Sequence, residues 1–108
     1  MERDIDVWQA VKIIGEELTI PPSPDIKGFL RNLSVRINEM ITSDFSGLLS
    51  LLYRLDVDER KLRSLLLQQA DADAGDVIAA LIYERQLQKI KSRQEFHRDD
   101  DIDENEKW

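Results

Sequence analysis

The sequence predicts an all-α fold, a compact bundle of about five helices followed by a disordered acidic C-terminal tail. Three observations carry this. Apolar residues recur at three- and four-residue steps almost from end to end, the signature of one buried face per helix. No stretch keeps the strict apolar–polar alternation of a half-buried strand. The breaks between periodic segments are prolines and clusters of Asp, Ser and Thr, the residue types that end or start helices. The expected organisation is a single helical domain over residues 1–96 and a tail over 97–108.

In the first helix, Trp8, Val11, Ile14 (or Gly15) and Leu18 fall on one face, and Asp4 or Asp6 is placed to cap it. It must stop before Pro21-Pro22-Ser23-Pro24, because proline lacks the N–H and holds its predecessor extended. Thr19–Pro22 reads as a rigid connector. Ser23-Pro24-Asp25 has the order of a helix start: a serine cap, proline in the first helical position and an acid in the first turn. Ile26, Phe29, Leu30, Leu33, Ile37, Met40 and Ile41 form the wide apolar stripe of this second helix. Arg31, Asn32, Arg36 and Asn38 are left for solvent.

Thr42-Ser43-Asp44 breaks the run, and a third helix starts at Phe45. Its leucines Leu48, Leu49, Leu51, Leu52 and Leu55 cover more of the circumference than one core-facing stripe needs. Asp56-Val57-Asp58-Glu59 resembles a capping box, with Asp56 as the cap and Glu59 three residues on. The fourth helix then carries Leu62, Leu65 and Leu66 to about Gln69. After Ala70–Gly75, a fifth helix starts at Asp73 or Ala74 and carries Val77, Ile78, Leu81, Ile82, Leu87 and Ile90, running to Phe96. Twenty-two residues at about 1.5 Å each make a rod of roughly 33 Å.

Composition narrows the chemistry. With 42% apolar and 34% charged residues in 108, this is an ordinary globular composition. Cysteine is absent, which excludes disulfides, thiolate metal sites and a cysteine nucleophile. The formal charge is −7, of which residues 97–108 hold −4, from six acids against Arg98 and Lys107. The first 96 residues carry only −3, so no global field draws the body to a phosphate backbone, and nucleic-acid binding is disfavoured. The N-terminus lacks the order of a signal peptide, and the longest apolar runs, such as Val77–Tyr83, fall far short of a membrane span. A cytoplasmic location and no membrane partner are expected.

Motifs for catalysis, cofactors or metals do not emerge. His97 is the lone histidine and stands at the start of the tail. Asp71-Ala72-Asp73-Ala74-Gly75-Asp76 has acids at alternate positions, yet a calcium loop needs glycine sixth and glutamate twelfth. Asp76 and Ile82 stand there, so a helix cap accounts for the acids. No phosphate loop, dinucleotide fingerprint or nucleophile elbow is present. The expectation is therefore no enzyme, with no catalytic residue, no cofactor and no metal ligand.

What remains is association with another protein chain, self or other. The expected surface is the leucine-rich third helix (Leu48, Leu51, Leu52, Leu55) together with the basic half of the last helix (Arg85, Lys89, Arg93). A homodimer is one form of this reading. The alternative is a nucleic-acid-associated regulator using that basic end. A helix-turn-helix over 57–69 and 74–96 is its nearest geometry, although Asp76 falls where base-contacting residues belong. A third reading, an enzyme assembled only in three dimensions, would need Arg54, Glu84 and Arg85 to converge in a polar pocket.

Two segments, Leu51-Leu52-Tyr53-Arg54-Leu55-Asp56-Val57 followed by Lys61-Leu62, and Ile78-Ala79-Ala80-Leu81-Ile82 followed by Arg85-Gln86, resemble a group of small, uncharacterised all-helical bacterial proteins. The resemblance covers about residues 40–92 and implies a helical fold and a bacterial, cytoplasmic origin. It implies no activity, cofactor or binding residue.

Overall fold

A computed structural model describes residues 4–94 of the chain. Five helices follow one another: α1 (Asp4–Leu18), α2 (Ile26–Ser43), α3 (Phe45–Arg54), α4 (Glu59–Gln68) and α5 (Ala74–Lys107, described as far as Gln94). No strand occurs among the described residues, and the fold is all-α as expected. The acidic tail expected over 97–108, with His97, lies outside the described residues. No helix among them is long and apolar enough to cross a membrane.

The helices start and stop where side chains satisfy their free backbone groups. Asp44 caps α3 by accepting from the Gly47 N–H at 3.1 Å, and Asp73 opens α5 by accepting from the Asp76 N–H at 3.1 Å. Three expected starts are displaced. Asp4 and Asp6 both lie inside the first turn of α1. The cap of α2 is Asp25, bound to the Gly28 N–H at 3.1 Å, and Ser23 instead accepts from the Asp25 N–H, so the helix begins two residues later than the Ser-Pro-Asp pattern implied. The cap of α4 is Asp58, which accepts from the Arg60 N–H at 2.9 Å, two residues beyond Asp56.

Asp56 is displaced because it ends the preceding helix. It sits at φ 61° in the left-handed region, and the following Val57 N–H returns to the Leu52 carbonyl at 3.0 Å. That six-to-one bond, with a left-handed residue just past the helix end, is a Schellman C-cap. Helix α1 closes the same way, with Thr19 at φ 57° and the Ile20 N–H bonded to the Gly15 carbonyl at 2.9 Å. The Ile20 carbonyl oxygen comes within 2.5 Å of where a Cβ on Gly15 would stand, so only glycine fits there.

The core is one apolar cluster drawn from all five helices, with Phe29, Leu33 and Ile37 of α2 at its centre and Ile78, Leu81 and Ile82 of α5 against them. Helix α5 is the central strut, packing on α1, α2 and α4, while α3 rests on α2. A second, smaller cluster joins Ala10 of α1 to Leu87 and Ile90 of α5. On α1 the buried arc runs through Asp6, Ala10, Val11, Ile14 and Leu18. It is rotated toward Ala10, whose small side chain lets α5 approach. Trp8, expected in the core, falls at the edge of that arc and is 40% exposed.

Candidate functional site

The four leucines expected to meet a partner are used within the chain itself. Leu48, Leu51, Leu52 and Leu55 are all buried in the main cluster, the most exposed of them at 6%. They therefore offer no free surface. The outward face of α3 carries a different set: Phe45, Leu49 and Tyr53, which are 55%, 49% and 87% exposed. Their spacing of four residues puts them on one side of the helix, one turn above another. Exposed Ser46 and Ser50 flank this ridge, Asp44 stands at its start and Arg54 at its end. Other exposed apolar residues are Ile5 and Trp8 on α1, Val35 on α2 and Leu67 on α4. The α3 ridge is the only three-turn apolar row among the described residues.

The basic half of α5 divides in two. Arg85 is half-buried and fully engaged: its Nε donates to the Asp56 carbonyl at 2.9 Å, one Nη to the Asp56 carboxylate at 2.8 Å and the other to Gln88 Oε1 at 3.0 Å. Beside it, the buried Gln86 donates from Nε2 to the Leu55 carbonyl at 2.8 Å. These two side chains satisfy carbonyls that the end of α3 leaves without helical donors. Arg85 thus staples the α3–α4 turn to α5, a role visible only once the turn is folded. Half-buried Lys89 and exposed Arg93 line a shallow hollow of about 300 Å³ with Arg85 and Ser92.

On the other side of Arg85 is a groove of about 600 Å³ between α5, the α3–α4 turn and the start of α4. Leu81 and Val57 line it with Asp56, Asp58, Lys61, Glu84, Arg85 and Gln88. The lining carries charges of both signs. The groove does hold Glu84 and Arg85 together, but Arg54 does not line it. Arg54 bonds Glu17 of α1 through Nε at 3.2 Å instead, so the trio that a hidden reaction centre would need is not assembled.

The acids at the start of α5 are also committed. Asn38, expected on a solvent face, is half-buried and bridges α2 to α5: its Nδ2 donates to Asp73 at 2.8 Å and its Oδ1 accepts from the Gly75 N–H at 3.1 Å. Ser34, buried on the same helix, donates to Asp76 at 2.5 Å. The Asn38 hydrogen bond, aided by the Asp76 and Gly75 N–H groups, holds the Asp73 carboxyl below the ordinary carboxylate value. A Cβ at position 75 would lie 2.6 Å from the Ser34 carbonyl oxygen, so the two helices meet across a glycine. Among the described residues no three His, Cys, Asp or Glu side chains gather as metal ligands.

Sequence reasoning missed the ridge because two stripes compete on α3. Leu48, Leu51, Leu52 and Leu55 make one; Phe45, Leu49 and Tyr53 make the other. The usable signal was the strict four-residue spacing of the second set, which the abundance of leucine concealed. No protein-family model, no curated protein and no solved structure matches the chain.

Proposed function

We propose that this protein is a protein-interaction module whose docking surface is the α3 ridge of Phe45, Leu49 and Tyr53. The carrying observation is that three large apolar side chains stand in water on one side of a helix whose other side is already filled. Contiguous exposed apolar surface of this kind marks binding sites on soluble proteins, and anchors spaced by one helical turn suit a helical or apolar partner segment. Tyrosine adds to the case. It combines a large apolar body with a hydroxyl that tolerates water before binding, and it is enriched among residues that carry binding energy. A binding role also fits the polar residues of α5: Gln86 and Arg85 are occupied in holding α3 and its turn.

The test is capture from the native cell by the tagged protein, compared with Leu49→Glu and with Leu67→Ser. Leu49→Glu places a charge in the middle of the ridge, whereas Leu67 is 81% exposed on α4 and outside it. Proteins retained by the wild type and by Leu67→Ser, and lost by Leu49→Glu with its helical spectrum intact, support the reading. Equal capture by all three defeats it.

A further inference from the structure

We propose that the segment 58–72, with α4 at its centre, is a hinged strap that lifts from α5 as one unit while the other four helices stay folded. The α3 ridge lies outside this segment. Of the 10 residues of α4, only Leu62 is buried, at 9% exposure, while Leu65 and Leu66 are half-buried. Helix α2, by contrast, sets Phe29, Leu33 and Ile37 wholly out of water. A helix this short is marginal in water by itself. These few leucines, packed toward α5, are therefore what keep α4 helical and in place.

Polar ties separate α4 from the other helices in the same way. Asp6 and Gln94 join α1 to α5, Glu17 and Arg54 join α1 to α3, and Ser34 and Asn38 join α2 to the start of α5. The side-chain bonds of α4 close on itself or its own cap: Arg63 with Glu59, Gln68 with Ser64, and Asp58 with the Arg60 N–H. Among the described residues none reaches from α4 to another helix. The chain is pinned just outside both ends of the segment. Arg85 holds Asp56 through its carbonyl and its carboxylate, and Asn38 holds Asp73 and Gly75.

Open space flanks the contact between α4 and α5. The groove of about 600 Å³ lies at the start of α4. A hollow of about 230 Å³, bounded by Leu65, Gln69, Val77 and Ala80, lies toward its end, and Leu81 and Glu84 line both. Lifting α4 joins the two and uncovers Val77 and Leu81, which are 7% and 4% exposed in the closed form. The released segment regains backbone and side-chain freedom, which offsets the loss of a small apolar contact.

Native-state hydrogen exchange reads this opening amide by amide. Amides 63–69 should share one protection factor, at least about a hundredfold below those of Leu33–Ile37 in α2 and Ile78–Ile82 in α5. Protection should return at the Val57 and Val77 amides, which bond to the Leu52 and Asp73 carbonyls. The chain has no cysteine, so Lys61→Cys combined with Glu84→Cys places two exposed thiols across the groove, one on each helix. Bridging them with a flexible bis-maleimide should slow exchange over 63–69 at least about tenfold, compared with the same variant capped by N-ethylmaleimide. Exchange in α1 and α2 should not change. Protection of α4 equal to that of α2 and α5 overturns the proposal. So does low protection that extends through α3, or exchange over 63–69 that the bridge does not slow.

Discussion

Asn38 shows how much one polar side chain can organise. It reaches from α2 to the first turn of α5, donating to Asp73 and accepting from Gly75, at a place where a solvated amide was expected. Ionised Asp73 is the better acceptor, so the contact lowers its pKa below the ordinary 3.8. A carboxyl with a lowered folded-state pKa stabilises the fold above the ordinary value, and that contribution fades as pH falls through the lowered one. Asn38→Ala removes the largest cause of the shift. Carboxyl-detected NMR should find the Asp73 midpoint moved up toward 3.8 in the variant. The melting temperature of Asn38→Ala should lie below wild type at neutral pH, and the gap should narrow once pH drops below that value. A midpoint indifferent to Asn38 would refute the assignment. The cap at Asp73 was readable from its residue type and position, since a helix N-terminus wants an acceptor there. The bridge was not, because it joins residues 35 positions apart.

At the scale of the element, α3 is the informative case. Ten residues carry two apolar stripes, and a propensity argument treats their leucines alike. The structure assigns them opposite roles, with Leu52 6% exposed and Leu49 49% exposed. Leu52→Ala leaves a cavity and should cost about 2–5 kcal/mol in chemical denaturation. Leu49→Ala should change stability by no more than about 0.5 kcal/mol, as surface substitutions do. Similar losses at both sites would contradict the orientation of α3 and remove the ridge. The same helix explains the displaced start of α4. Asp56-Val57-Asp58-Glu59 contains two aspartates able to cap, and the left-handed turn that ends α3 takes the first, leaving Asp58 to begin α4. The capping-box pattern points to Asp56; the geometry of the preceding helix end moves the cap to Asp58.

For the molecule as a whole, the contacts between α1 and α5 close the bundle end to end. Asp6 is 1% exposed and accepts from Gln94 Nε2 at 2.9 Å, a bond spanning 88 residues, beside the small cluster of Ala10, Leu87 and Ile90. Removing the buried carboxylate leaves the Gln94 amide without that acceptor, so Asp6→Ala should lower stability by about 1–3 kcal/mol. Hydrogen exchange should locate the effect in the first turns of α1 and in residues 86–94, with the α2 core still protected. A uniform loss of protection would mean that the two clusters unfold as one unit. Its sequence position suits Asp6, like Asp4, to a helix cap. Its burial depends on α5 arriving beside it, and no nearby residue announces that.

The chain's own sequence determined that it is helical, where its five helices fall to within a few residues, and that Val77, Ile78, Leu81, Ile82, Leu87 and Ile90 form the buried stripe of α5. Period, prolines and capping residues act over one or two turns, and such short-range physics is written in neighbouring letters. Tertiary structure alone decided which stripe of α3 turns inward, that Arg85 and Gln86 hold the end of α3, and that Trp8 stays partly in water. Each of these is a contest between faces or partners of similar local merit. It is resolved only by the energy of packing against helices tens of residues away.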